Sequence, residues 1–138
     1  VLRFVNEFFP ADVPVVDFGC GHGQLFEILP PARGIGVDTN LAFLHSMKRK
    51  FPDVLAVQSD ISNSPFADGT IRCPVSAHTL EHLYFLAEGL EEIDRIVTPD
   101  GKFIFTIPTE GSWGWELGRK WVTGPRLRRE HNLDVKMI

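Results

Sequence analysis

Val15-Val16-Asp17-Phe18-Gly19-Cys20-Gly21-His22-Gly23 reads as a buried strand that turns sharply through alternating glycines. Two apolar residues lead in, Asp17 supplies a carboxylate, and Gln24-Leu25-Phe26-Glu27-Ile28-Leu29 follows as a helix-like segment. Glycine lets the main chain take conformations that a Cβ forbids and lets a ligand approach it closely, while a following helix offers unpaired N–H groups. Nucleotide-type ligands bind at such turns. The dinucleotide fingerprint G-x-G-x-x-G would need glycine where Gln24 stands, whereas this chain has D-x-G-x-G-x-G. Packing alone also produces glycine-rich turns after strands, so the flanking sequence has to decide.

With 138 residues, 43% apolar and 23% charged, the chain has the make-up of one globular domain. No apolar run reaches the ~20 residues of a membrane-spanning helix. The first residues lack the basic and apolar segments of a secretory leader, which points to the cytoplasm. The chain opens on Val1 rather than methionine, so a trimmed product is also consistent with it. Cys20 and Cys73 have no close cysteine neighbour and read as free thiols. Charge is unevenly placed: residues 1–110 carry 8 cationic and 15 acidic side chains, residues 111–138 carry 6 and 3. An acidic body argues against a nucleic-acid partner.

Further along, Leu2, Val5, Phe8 and Phe9 have helix-like spacing up to Pro10, and strand one covers Val13 to Phe18 before a helix that Pro30-Pro31 stops. Gly34-Ile35-Gly36-Val37-Asp38 is a second strand. Asp38 stands 21 residues after Asp17, close to the spacing of about 20 at which such folds place a ribose-binding acid. Asp38 or Thr39 could instead cap the helix Leu41 to Lys50. Val54 to Gln58 is a third strand closed by Ser59-Asp60-Ile61, and Ile71 to Ala77 a fourth. Pro74 lies inside that fourth strand, where it removes a ladder donor and predicts a shortened, bulged or locally disordered strand. Leu86 to Val97 is an amphipathic helix with Leu86, Leu90, Ile93 and Val97 facing inward. Lys102 to Ile107 is a fifth strand. Strands alternating with helices predict a doubly wound, mostly parallel α/β sheet of about five strands.

Three ordered stretches, the glycine turn, Pro65-Phe66-Ala67-Asp68 and Ser76-Ala77-His78-Thr79-Leu80-Glu81-His82-Leu83, make the region from Phe4 to Pro108 similar to the class I S-adenosylmethionine-dependent methyltransferases, of the type 11 or UbiE-like kind. The resemblance implies a Rossmann-like fold, S-adenosyl-L-methionine as cofactor and S-adenosyl-L-homocysteine as product. It places cofactor contacts at Asp17, Gly19, Cys20, Gly21, Gly23, Asp38, Thr39, Asp60, Ile61 and His78, with Asp60 beside the adenine amino group. The family's last two strands are absent from this stretch. Residues 1–110 are thus expected to be the cofactor-binding core. Residues 111–138, with Trp113, Trp115 and Trp121 among arginines and lysines, form an acceptor lid, the start of a truncated region, a polyanion contact or a packed edge.

Methyl transfer from an activated donor asks the protein to align the nucleophile and exclude water, and a general base helps when the nucleophile is a hydroxyl or an acidic carbon. His82 and His78 are the candidates, since histidine titrates near neutrality. His78, Glu81 and His82 also have a spacing that zinc or another transition metal accepts, an alternative to the metal-free reading. The loop after strand four lacks the Asn/Asp-Pro-Pro-Tyr signature of amino-methylating enzymes, so a small-molecule or lipid-like acceptor methylated on oxygen or carbon is expected. A cofactor-binding but inactive domain and a nicotinamide-dependent oxidoreductase are the competing readings. An exposed fifth strand predicts a homodimer paired through that edge.

Overall fold

The computed structural model describes Val5, Glu7 and residues 13–29 and 34–107. The chain divides into two units, Val1–Ile107 and Pro108–Ile138, and every described residue belongs to the first. The expected covering helix at Leu2 to Phe9 is therefore represented only by Val5 and Glu7, both helical, and the segment 111–138 lies outside the described residues.

Five strands form one sheet: β1 (Val15–Phe18), β2 (Gly34–Asp38), β3 (Leu55–Gln58), β4 (Cys73–Ala77) and β5 (Ile104–Thr106). Their order is β3-β2-β1-β4-β5, and every neighbouring pair is parallel. Helix α1 (Leu41–Lys50) joins β2 to β3, and α2 (Leu86–Ile96) lies between β4 and β5. The chain winds outward from β1 to β3, then reverses to β4 and β5, so right-handed crossovers put α1 and α2 on opposite faces. This is the doubly wound α/β fold expected. The reversal opens a crevice beyond the C-terminal ends of β1 and β4, where sheets of this kind bind ligands.

Both central strands are buried on both sides. On one face Val13, Val15, Cys73, Val75 and Ile104 pack with Val5, Leu25 and Leu29. Under α1, Leu44 and Met47 gather with Cys20, Phe26 and Val54. Each such aliphatic or aromatic side chain contributes about 1.5–3 kcal/mol on leaving water. Gly36 lets α1 sit directly on β2, since a Cβ there would lie 2.4 Å from Met47 Sδ. The helix starts where Asn40 Oδ1 accepts from the Ala42 amide at 3.0 Å, so Asn40 is the cap rather than Asp38 or Thr39. Lys48 Nζ donates to the Pro52 and Val54 carbonyls beyond the helix end, at 2.6 and 2.9 Å.

Two segments depart from the expected outline. After the glycine turn there is a single 3-10 turn, Gln24–Glu27, in place of a helix. Only six residues separate Gly23 from Pro30, too few for a stable α-helical nucleus, and the residue before a proline avoids the α region. In α2 the buried positions are Gly89, Leu90, Ile93 and Ile96, while Leu86 is exposed and Val97 half-buried. Leu90 and Ile93 face inward as expected, while the stripe ends one position early, at Ile96, and begins at Gly89 instead of Leu86.

Pro74 shortens β4 without breaking it. The strand begins at Cys73 instead of Ile71, which makes an isolated bridge to Val97. Registers run unbroken from Val15↔Cys73 to Asp17↔Val75 on one side and from Val75↔Ile104 to Ala77↔Thr106 on the other. The His78 amide donates to Thr106 O at 3.0 Å, and the alternation of the strand turns the nitrogen of Pro74 toward the same side. Its missing donor therefore falls where pairing with β5 has not yet begun, and the side facing β1 keeps its full ladder. Among the described residues β3 and β5 are the sheet edges, and on β3 Leu55 is 61% exposed.

Opposite the glycine turn, α2 holds the loop that precedes β4. Glu92 Oε1 accepts from the Ser64 amide and hydroxyl at 2.8 and 2.7 Å, and Arg95 donates to Phe66 O at 2.9 Å while pairing with Asp68 and Glu92. The Arg95 guanidinium, helped by Ser64, holds the Glu92 carboxyl down at about 2.

Candidate cofactor and catalytic site

The C-terminal ends of four parallel strands lie along the same edge of the sheet, and each brings residues that the sequence singled out. After β1, Gly19, Gly21 and Gly23 all have left-handed backbone, with φ of 75°, 53° and 83°. A Cβ on Gly19 would lie 2.1 Å from Thr79 Oγ1, so the turns after β1 and β4 are in contact. The Thr79 hydroxyl lies 3.3 Å from Ala77 O and 3.5 Å from Gly19 O, within reach to donate to either.

The loop is tied to the end of β2. The Gly19 and Cys20 amides both donate to Val37 O, at 2.8 and 3.0 Å, and the Gly21 amide donates to Asp38 Oδ2 at 2.9 Å. Asp38 Oδ1 accepts from the Asn40 amide at 2.8 Å, and the Gly23 amide closes a turn on Cys20 O at 2.8 Å. Four amides of the loop, those of Gly19, Cys20, Gly21 and Gly23, thus have partners inside the protein.

Asp17 is buried, and its Oδ1 has no hydrogen-bond partner among the described residues. Burial, with a smaller push from the Asp38 charge, raises its carboxyl to about 7. Cys20 takes a different direction: Sγ lies 3.7 Å from Met47 Sδ in the core beneath α1. Burial and then the charges of Asp17 and Asp38 push its thiol up to about 12, so it is inert as a nucleophile. Its side chain does not join the loop surface, and a Cys20 contact to a ligand would have to be made by the main chain. Thr39 is exposed and its carbonyl accepts from Gln58 Nε2 at 3.1 Å. Asp60 is exposed after β3, where its Oδ1 accepts from the Ser62 amide and hydroxyl at 2.8 and 2.7 Å; these bonds hold its carboxyl below the usual range. Ile61 is buried against the α2 side, 3.4 Å from the Cβ position of Gly89.

After β4, His78 has a left-handed backbone with φ of 55°, and a 3-10 turn follows at Leu80–His82. His82 is exposed there, with its amide donating to Thr79 O at 2.9 Å. Among the described residues no three His, Cys, Asp or Glu side chains converge as a metal set, so His78, Glu81 and His82 do not form the cluster that their spacing allowed. Past this turn Tyr84 and Phe85 are 98% and 70% exposed. Thr79 was not singled out from the sequence. Its signal is indirect: a side chain branched at Cβ inside the turn requires a residue without Cβ opposite, and that residue is Gly19.

A parallel sheet with this switch point, a triple-glycine turn and an acid at the end of each of β1, β2 and the β3 loop defines a binder of a nucleotide-type cofactor. The family model described as a methyltransferase domain, type 11, matches residues 16–105, and the chain belongs to that family. A Mycolicibacterium smegmatis protein named as a probable S-adenosylmethionine-dependent methyltransferase is 26% identical over 120 residues, 86% of this chain and 46% of its own. The demethylmenaquinone methyltransferase of Paenarthrobacter aurescens is 29% identical over 107 residues, 72% of this chain and 41% of that enzyme. Among solved structures, the YcgJ protein of Bacillus subtilis shares the fold with a TM-score of 0.69 at 20% identity, over 92% of this chain and 57% of that one. The chain spans less than half the length of the curated relatives it matches. Among the described residues no helix is long and apolar enough to cross a membrane.

Proposed function

We propose that this chain is the cofactor-binding body of an S-adenosylmethionine-dependent methyltransferase that methylates an oxygen or carbon of a small-molecule or lipid-like acceptor. One observation carries the choice of cofactor: the amides of Gly19, Cys20, Gly21 and Gly23 are already engaged inside the protein, while the Asp38 carboxylate lies beside them and the Asp17 carboxyl, raised to about 7, is poised to ionise against a cation. A pyrophosphate needs free amides and finds acids repulsive. A ligand with ammonium and sulfonium groups does not need free amides. Since a dinucleotide ribose would also accept an acid at Asp38, it is the engaged amides and Gln24 at the third-glycine position that disfavour the nicotinamide alternative. When bound, S-adenosylmethionine supplies a methyl group already activated for displacement.

In this reading Gly19, Gly21 and Gly23 let the ligand approach the main chain, Asp17 answers its cationic end and Asp38 accepts from ribose hydroxyls. Thr39 and Ile61 line the same rim, and Asp60 accepts from the adenine amino group. His78 and His82 are the proton acceptors at the mouth of β4. The demethylmenaquinone methyltransferase among the relatives supports a small-molecule or lipid-like acceptor. A cytoplasmic location, no nucleic-acid partner, and a C-terminal segment 111–138 serving as acceptor lid belong to the same proposal.

Calorimetric titration with S-adenosylhomocysteine, with a dinucleotide as control, tests it. Micromolar binding of the former alone is expected, and Asp38→Ala should weaken it by about 1–3 kcal/mol by leaving polar groups unpaired. Preference for the dinucleotide, or no binding by folded protein, sinks the reading. Pairing of two copies through the β5 edge predicts a dimer in light scattering, and a monomer at high concentration removes that part.

A further inference from the structure

The turn after β4 carries an arrangement that the methyltransferase reading does not by itself assign. His78 holds a left-handed backbone, which is unfavourable for a residue with a Cβ. In that conformation its Nδ1 lies 3.9 Å from Glu81 Oε1. The imidazole is 64% exposed and the Glu81 side chain only 16%. Glu81 Oε2 is fully buried and has no hydrogen-bond partner among the described residues. A buried carboxylate oxygen left without a donor is unfavourable and calls for a reason. Set behind an exposed imidazole, the carboxylate stands where an orienting acid stands relative to its base. Exposed His82, on the same turn, has no carboxylate partner among the described residues.

We propose that Glu81 is a positioning residue for His78. A small side-chain rotation brings its carboxylate onto Nδ1–H, fixes that tautomer and leaves Nε2 as the proton-accepting nitrogen. The second ring nitrogen's state is set by the bond that the first one makes. The inference rests on the methyltransferase reading and narrows its acceptor to one whose nucleophile holds a proton at neutral pH: a hydroxyl, a phenol or an acidic C–H. In the step, the acceptor's proton passes to His78 Nε2, its electron pair forms the new bond to the methyl carbon, and the breaking C–S pair stays on sulfur as a neutral thioether.

Nitrogen-15 NMR of the neutral imidazoles in the whole chain tests this without an acceptor. Wild-type His78 should be Nδ1–H, and in Glu81→Leu the ratio of Nδ1–H to Nε2–H should fall about tenfold, the scale of a lost charge-assisted hydrogen bond. His82→Ala assigns the signals and should leave the His78 tautomer as it was. If Glu81→Leu fails to fold, Glu81→Gln decides, because a neutral acceptor should still lower the ratio. A wild-type His78 that is Nε2–H, or a ratio indifferent to Glu81, overturns the proposal. S-adenosylhomocysteine titration of the same samples keeps the two failures apart: lost binding in the wild type removes the methyltransferase reading, and an unmoved tautomer with binding intact removes only the role of Glu81.

Discussion

The ends of β1 and β2 and the end of β4 face the same crevice and are built on opposite terms. At the first, the main chain is matched to itself: three loop amides reach Val37 O and Asp38, and Asp38 also receives Asn40. At the second, Ser76 Oγ, Glu81 Oε2 and Thr106 Oγ1 are buried without partners among the described residues, His78 is in left-handed backbone, and Tyr84 and Phe85 lie open to solvent. A surface that grips one unchanging ligand can be completed before the ligand arrives. In the proposed function the first region grips the cofactor and the second meets the acceptor, so the difference would separate holding from turnover.

The contact between the two regions offers the strongest way to break the contrast. Gly19→Ala puts a Cβ into Thr79 and forces a left-handed backbone on alanine, for an expected loss of about 3–5 kcal/mol in chemical denaturation. Adding Thr79→Gly should restore most of it and leave the backbone part, about 1–2 kcal/mol. Two additive losses would mean that the turns do not meet.

Asp17 is the exception on the completed side, and pH sharpens its place. Its carboxyl is raised to about 7 from an ordinary 3.8, so between those values the folded state holds a proton that the unfolded state has released. Asp17's contribution to stability should then fall as pH rises through that window, by at most about 4 kcal/mol, and be level below it, where the depressed Glu92 carboxyl instead costs stability as it takes up a proton. In Asp17→Asn the slope should vanish while S-adenosylhomocysteine binding weakens. Urea unfolding at several pH values reads the first effect and calorimetry the second. A wild-type curve flat from pH 4 to 7 would place the Asp17 proton elsewhere.

The smallest expected effect belongs to the open side. Tyr84→Ser and Phe85→Ser should change stability by no more than about 0.5 kcal/mol, because these side chains bury little. Thermal denaturation checks this. A loss of several degrees would show that they pack against something and would blur the contrast.

The same contrast explains what the sequence made legible. β2 and α1 have the boundaries read from the chain, because local chemistry marks both ends: an acid and Asn40 at the start of the helix, Phe51-Pro52 at its close. The glycine turn was legible for the same reason. The 3-10 turn at Gln24–Glu27 was not, since its composition is helical and only the short distance to Pro30 forbids the helix. In α2 the middle of the buried stripe, Leu90 and Ile93, was legible but its ends were not, because periodicity fixes a face only to within part of a turn, and tertiary packing against Ile61 and Leu83 puts Gly89 inside. The contact of Thr79 with Gly19 depends on β1 and β4 being neighbours across a long crossover, a relation that no local pattern encodes.

Val37 O receives two amides, from Gly19 and Cys20, and so joins the glycine loop to the sheet. In hydrogen exchange such a loop should not behave as a loop. Its amides become accessible only when the β1–β2 ladder itself opens, so their protection should follow the cooperative unit of the core strands. Ligand association then meets a surface already ordered, and little of the binding affinity is lost to ordering the chain.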